Sequence, residues 1–159
     1  MISNIFLISR SILFWINIVF SVLIFGPVTF LVGIISYDSC LYLSKKWCRY
    51  NLFFLKYVCL LSYNFDNDEI KTSKIIISRH QSTWETFFFT AYIDYPIFIL
   101  KKELLMIPLF GWCLYLLKHI SIDRSDGTSS LKKIMKSCDE HIKENRTIII
   151  FPEGTRSLY

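Results

Sequence analysis

The chain opens on an apolar run that no charge interrupts from Ser11 to Tyr37, with Arg10 before it and Asp38 after it. About 20 apolar residues cross a bilayer as a helix, so this stretch is long enough to span one. It is too long for the core of a signal peptide, and no small-residue cleavage site follows it. Gly26-Pro27 stands in its middle, and proline removes a backbone donor and kinks or ends a helix. Two readings follow: one kinked spanning helix, or a re-entrant hairpin bent at Gly26-Pro27. A second apolar stretch, from Tyr50 to Phe65, has Lys56 inside it and is short for a span. It reads as an interfacial helix with Lys56 reaching toward headgroups, or equally as a plain core helix.

The polar stretch NFDNDEIKTSK, residues 64–74, marks the change to a different pattern. Ile75-Ile76-Ile77 is a short β-branched run, which predicts a buried strand. Ser82 to Tyr92 suits a helix, Pro96 to Leu100 a strand, Gly111 to Lys118 a short helix and Ile120 to Asp123 a brief strand. Gly127 to Asn145 carries Leu131, Ile134, Met135, Cys138 and Ile142 at helical spacing, and so predicts a long amphipathic helix. Thr147 to Phe151 is a final strand, stopped by Pro152. Strands alternating with helices predict an α/β fold, with a mostly parallel sheet flanked by helices. The expected organisation is a helical membrane anchor over residues 1–65 and an α/β domain over residues 66–159.

Composition agrees with a chain that spends part of its length in lipid. Of 159 residues, 53% are apolar and only 19% charged, against about 45–50% and 25% in ordinary soluble domains. The net charge of +5 fits an anionic partner, either a membrane surface or a phosphorylated substrate. Nucleic acid is not expected, because no dense Lys/Arg run is present to track a phosphate backbone. The five cysteines, at 40, 48, 59, 113 and 138, include no CxxC pair. They read as small buried hydrophobes in a reducing compartment, not as a zinc site or a disulfide framework. No His/Cys/Asp cluster has ligand spacing, so neither metal nor cofactor is implied.

In parallel sheets ligands sit off the carboxyl ends of the strands. Three predicted strand ends carry polar residues: Arg79-His80, Asp123-Arg124 and Glu153-Gly154-Thr155-Arg156. His80 and Glu85 are five residues apart, about 140° of rotation on one helix, so on one helix they would diverge. They meet if His80 lies in the turn before the helix and Glu85 in its first turns, with Ser82 or Thr83 capping the start. A carboxylate at one imidazole nitrogen fixes the tautomer and leaves the other nitrogen free to take a proton. By itself this spacing is common. No GxSxG nucleophile elbow occurs, which favours direct attack by a substrate hydroxyl over an acyl-enzyme. In FPEGTRS, Pro152 ends a strand, Gly154 permits a tight turn and Arg156 offers a planar fork suited to phosphate. Glu153 either holds that arginine or binds the acceptor. Arg124 and Lys101 are further candidates for phosphate binding.

Together these residues resemble the glycerolipid acyltransferase family, typified by the 1-acylglycerol-3-phosphate acyltransferases. The likeness runs from about Ile75 to Ser157, in the family's order. RHQSTWE carries the histidine and acidic residue separated by four. LKKELLMIPLFGW carries a lysine followed by proline and glycine (Lys101, Pro108, Gly111), continued by SIDR to Arg124. FPEGTRS carries the third block. The resemblance implies that His80 is the general base and Glu85 its partner. It implies that Lys101, Arg124, Glu153, Gly154 and Arg156 shape the site for the acceptor phosphate. It further implies an acyl-CoA or acyl-carrier-protein co-substrate, a lysophosphatidic acid acceptor and phosphatidic acid as product. A two-helix anchor is implied too, which favours a hairpin, and the charge bias of Lys45, Lys46 and Arg49 after the apolar run, against Arg10 before it, favours the cytoplasmic face of a membrane. Another lysolipid acceptor, or a non-catalytic fragment of the fold, are the alternatives. Three departures stand out. Glu85 occupies a position where the family more often has Asp, and His119 one where glycine is common. The chain also stops at Tyr159, before the family's proline-containing fourth block, so a C-terminal part is expected to be missing.

Overall fold

The computed structural model describes residues 2–64, 70, 72–123 and 127–153. Helix α1 spans Ile2–Ile35 and runs unbroken through Pro27. The chain turns at Ser36, whose extended backbone and side-chain oxygen, accepting from the Ser39 N–H, open α2 at Tyr37–Tyr57. The expected bend at Gly26-Pro27 is therefore corrected: the hairpin exists, but its turn lies at Ser36. Gly26 serves a close approach instead, because a Cβ there would meet Leu109 Cβ at 3.0 Å. Gly33, two turns further on, admits Leu116 and Cys40 in the same way. The second helix also begins earlier than the apolar run at Tyr50. Its inner side carries Cys40, Leu41, Cys48, Asn51, Leu52 and Leu55, a helical spacing hidden among lysines and serines.

A polar seam joins the two helices. Asn17 Nδ2 donates to Asn51 Oδ1 at 3.0 Å, and the Tyr50 hydroxyl donates to Asn17 Oδ1 at 2.6 Å. Trp47 Nε1 donates to Ser21 Oγ at 2.9 Å. By length and composition α1 is able to cross a membrane, and only 22% of its most apolar segment is buried within the protein. That outward apolar surface suggests membrane association.

The remaining elements form a parallel sheet with crossover helices. They are β1 (Ile75–Ile77), α3 (Trp84–Tyr92), β2 (Pro96–Lys101), a 3-10 helix (Lys102–Met106), α4 (Phe110–Leu116), β3 (Ile120–Ile122), α5 (Gly127–Lys143) and β4 (Thr147–Ile150). The strand order is β1-β4-β2-β3, and each pair is parallel. Since side chains alternate along a strand, the register sets two faces. Ile76, Phe98 and Ile149 meet α3 through Phe88 and Phe89 on one face. On the other, Ile97, Ile120 and Ile148 pack under Ile134, Cys138 and Ile142 of α5. Ile97, Ile148 and Ile149 are completely buried, and each such side chain contributes about 1.5–3 kcal/mol by leaving water. The hairpin joins the α3 side, where Cys48, Leu52 and Leu55 of α2 form one core with Phe87 and Ala91. In the α/β part the anticipated helices and strands are present with ends shifted by a residue or two, but β1, expected to be buried, is an edge strand with Ile75 and Ile77 exposed. The 3-10 helix was not anticipated. The cysteines are free, and Cys40, Cys48 and Cys113 are buried.

Candidate active site

Because all four strands run the same way, their carboxyl ends share one edge of the sheet. β1 leads there to His80, β4 to Glu153, β2 to Lys101 and β3 to Asp123. A bond from Ser78 N–H to Ile150 O, at 3.0 Å, extends the β1–β4 ladder toward His80. The His80 ring then lies stacked on Phe151, with centroids 4.3 Å apart and planes at 26°. Phe151 in turn stacks on Phe98 of β2. An aromatic column standing on the sheet thus fixes the plane of the histidine.

Glu85 lies in the first turn of α3, and its Oε2 is 3.7 Å from His80 Nδ1. The two side chains come together as the spacing argument requires, with histidine in the turn and glutamate in the helix. Glu85 also has a second task. It accepts from the Gln81 N–H at 3.3 Å and the Ser82 N–H at 3.0 Å, and from the Ser82 hydroxyl at 3.2 Å. Ser82 Oγ accepts from the Trp84 N–H at 3.1 Å. This reciprocal arrangement over Ser82-Thr83-Trp84-Glu85 is a variant of the capping box, with Ser82 bonding the Trp84 N–H where the standard box bonds that of the glutamate. Helix N-termini favour negative charge, so the carboxylate is held by the helix start and presented to the imidazole. Of the two residues considered for the cap, Thr83 holds the cap position without a side-chain bond, and Ser82 just before it supplies the bond to the helix start.

Lys101 is exposed at the end of β2, and Glu153 is exposed just beyond β4. Arg124, Gly154 and Arg156 lie outside the described residues. The neighbouring Lys102 forms an ion pair with Asp123, tying the ends of β2 and β3 together. Sequence reading missed that pair. It also missed the support that Phe151 gives His80. The signal for the latter was present in the last residue of the β4 run, immediately before Pro152. Gly111 sits where any Cβ would fall 2.4 Å from the Leu105 carbonyl oxygen, so this glycine is demanded by close backbone approach.

His119 precedes β3, and its Nδ1 accepts the Phe98 backbone N–H at 3.3 Å. Burial, reinforced by the nearby His141 and Arg146, pushes its pKa down to about 3. The ring stays neutral and acts as a fixed acceptor in the sheet. Above it lies an apolar cavity of about 100 Å³, between α1, α2, α3 and α4. Trp47, Phe87 and Phe110 line it, and Thr83 and Thr86 bring it to the α3 turn that carries Glu85. Among the described residues no group of His, Cys, Asp and Glu is arranged to hold a metal ion.

Comparison with known proteins agrees with this architecture. Residues 62–158 match the family model described as Acyltransferase. A 1-acyl-sn-glycerol-3-phosphate acyltransferase of Pseudomonas aeruginosa is 38% identical over 151 residues, covering 92% of this chain and 59% of that protein. The protein of that name from Helicobacter pylori is 40% identical over 85 residues, covering 53% of this chain and 35% of its own length. The chain thus spans about three fifths of the first of these relatives and a smaller part of the second. The fold is that of the crystal structure of the 1-acyl-sn-glycerophosphate acyltransferase PlsC from Thermotoga maritima. The TM-score is 0.74 at 19% identity, over 97% of this chain and 63% of that one. The matched segment holds the sheet, its crossover helices and both His80 and Glu85, and on that match the chain belongs to the acyltransferase family.

Proposed function

We propose that the chain carries the chemistry of a 1-acylglycerol-3-phosphate acyltransferase, moving a fatty acyl group from acyl-CoA or acyl-carrier protein to the free hydroxyl of lysophosphatidic acid. The observation that carries this reading is the approach of Glu85 to His80 Nδ1 at 3.7 Å. With the carboxylate at Nδ1, Nε2 is the nitrogen available for a substrate proton. As the hydroxyl attacks the thioester carbonyl, His80 takes its proton. The new C–O bond forms, the C–S bond breaks, and the proton passes on to the thiolate. The 3.7 Å separation is loose for a hydrogen bond, as is common before substrate closes a site.

Lys101 and Glu153, at the same edge, are the described part of an acceptor-phosphate site, to which we assign Arg124, Gly154 and Arg156 as well. Arginine forks suit phosphate. The apolar cavity beside the α3 turn suits the first methylenes of an acyl chain. We take residues 1–65 as the membrane anchor and residues 66–159 as the catalytic unit. Lys45, Lys46 and Arg49 of α2 support a seat at the cytoplasmic face by the positive-inside rule. Phosphatidic acid, the product, is a precursor in phospholipid biosynthesis. The reading is tested by supplying membranes that contain this chain with radiolabelled lysophosphatidic acid and, separately, acyl-CoA and acyl-carrier protein. Labelled phosphatidic acid is expected with at least one donor. Its absence with both removes the proposal for this 159-residue chain.

A further inference from the structure

Leu104 to Leu117 is a second stretch without a charged residue, LLMIPLFGWCLYLL, with Lys101, Lys102 and Glu103 before it and Lys118 after it. A run of this length is too short to span a bilayer and suits either a buried core helix or an interfacial segment. The structure decides between the two. Cys113 of α4, and Leu117 just beyond its end, face inward. The opposite side, where a surface helix normally carries polar residues, presents Trp112 and Tyr115, one turn apart and exposed. The preceding 3-10 helix adds Met106, 79% exposed, and Ile107 follows it at 44%. This apolar surface is continuous with α1, because Trp112 packs on Phe30 with ring centroids 5.3 Å apart.

We infer that the 3-10 helix and α4 enter the lipid leaflet beside α1, so that the α/β unit itself is seated in the membrane through Met106, Ile107, Trp112 and Tyr115. The inference rests on reading α1 as the membrane anchor. Tryptophan and tyrosine are the residues that settle at the headgroup boundary. Lys101 and Lys118, both exposed at the rim, add attraction to anionic headgroups. The 3-10 helix leaves the carboxyl end of β2, so this seating brings the strand ends to headgroup level. A lysolipid then reaches His80 without leaving the bilayer.

The test is photo-crosslinking of the full chain in vesicles of phosphatidylcholine and phosphatidylglycerol. p-Benzoylphenylalanine is placed singly at Met106, at Tyr115, at Phe20 on the outer face of α1, and at Lys136 on α5. All four side chains are exposed, so the fold tolerates the replacement. Phospholipid adducts, read by mass spectrometry, are expected at 20, 106 and 115 and not at 136. Adducts at 20 without any at 106 and 115 overturn the inference and leave the anchor standing. Loss of adducts at 20 as well overturns both. Crosslinks from 106 or 115 to a second copy of the chain overturn it in favour of a protein interface, and lipid adducts at 136 overturn it by showing that no face is selected.

Discussion

Two histidines on the same side of the sheet meet opposite fates. His80 stands beyond the carboxyl end of β1, partly open, stacked on Phe151 and faced by Glu85. His119 stands before the amino end of β3, where burial holds its pKa at about 3, and spends its Nδ1 on a backbone N–H. An imidazole serves as a base only if one nitrogen remains within reach of substrate and protonation is tolerated. His80 has a carboxylate to stabilise the imidazolium and room to form it. For His119 a proton would break the bond to Phe98 and bring a third positive group beside Arg146 and His141. The difference arises from position along parallel strands: the carboxyl edge opens toward ligand, while the amino edge is closed by interlocking contacts. There Arg146 lies over the Tyr37 ring, 4.6 Å from its centroid, and Thr147 Oγ1 donates to Ser73 O at 3.0 Å.

Breaking the comparison at its catalytic end should give the largest effect. His80→Ala is expected to lower the rate of acyl transfer by roughly 10²- to 10⁴-fold, with thermal unfolding nearly unchanged, since the partly exposed ring carries little of the core. Activity and melting temperature measured on one preparation check this.

Acid provides the next largest effect, now at the structural end. The folded pKa of His119 lies below its unfolded value of 6.5. Above pH 6.5 the group is neutral in both states and costs nothing. As pH falls below that value the unfolded chain binds a proton that the folded chain refuses until about pH 3. Stability is therefore lost progressively across this window, by up to about 5 kcal/mol. Denaturation curves between pH 7 and 4 should show the loss, and His119→Gln should flatten it.

His119→Ala at neutral pH is expected to cost about 1–3 kcal/mol, because the Phe98 N–H is left without its acceptor. Equilibrium unfolding reads this, and residual activity should persist in the folded fraction. The smallest effect sharpens the link between the helix start and the proposed pair of His80 and Glu85. Ser82→Ala should remove about 1 kcal/mol of helix-start stability. It should also lower activity less than His80→Ala does, because Glu85 keeps its backbone bonds to Gln81 and Ser82.

Much of the fold was readable in advance because its signals are local. Ile75-Ile76-Ile77 and Thr147 to Ile150 are β-branched runs of strand length, and Ile134, Cys138 and Ile142 repeat at helical spacing. The hairpin turn was not readable. Gly26-Pro27 looks like a break, yet Gly26 is there for Leu109, a residue 83 positions away in sequence, so its meaning is tertiary. The true turn at Ser36 rests on one serine cap, a weak local signal. The start of α2 was masked by polar residues interleaved with its buried positions.

The site divides in the same way. His80 and Glu85 were visible through their spacing, and the capping box could have been read from STWE as well. The stacking of Phe151 on His80 and the pairing of Lys102 with Asp123 depend on strand order β1-β4-β2-β3, which no local pattern encodes. His119 was visible only as a departure from the family. Its role needed the neighbouring strand.

The most direct measurement is the titration of the two histidines by NMR in the full chain, with His80→Ala and His119→Gln to assign them and phosphatidic acid formation followed over the same pH range. The histidine resonance lost in His80→Ala is expected to change its protonation over the pH range in which activity falls. His119 should stay neutral down to about pH 3. An activity profile indifferent to the His80 titration, or surviving in His80→Ala, would contradict its role as the base at the carboxyl edge.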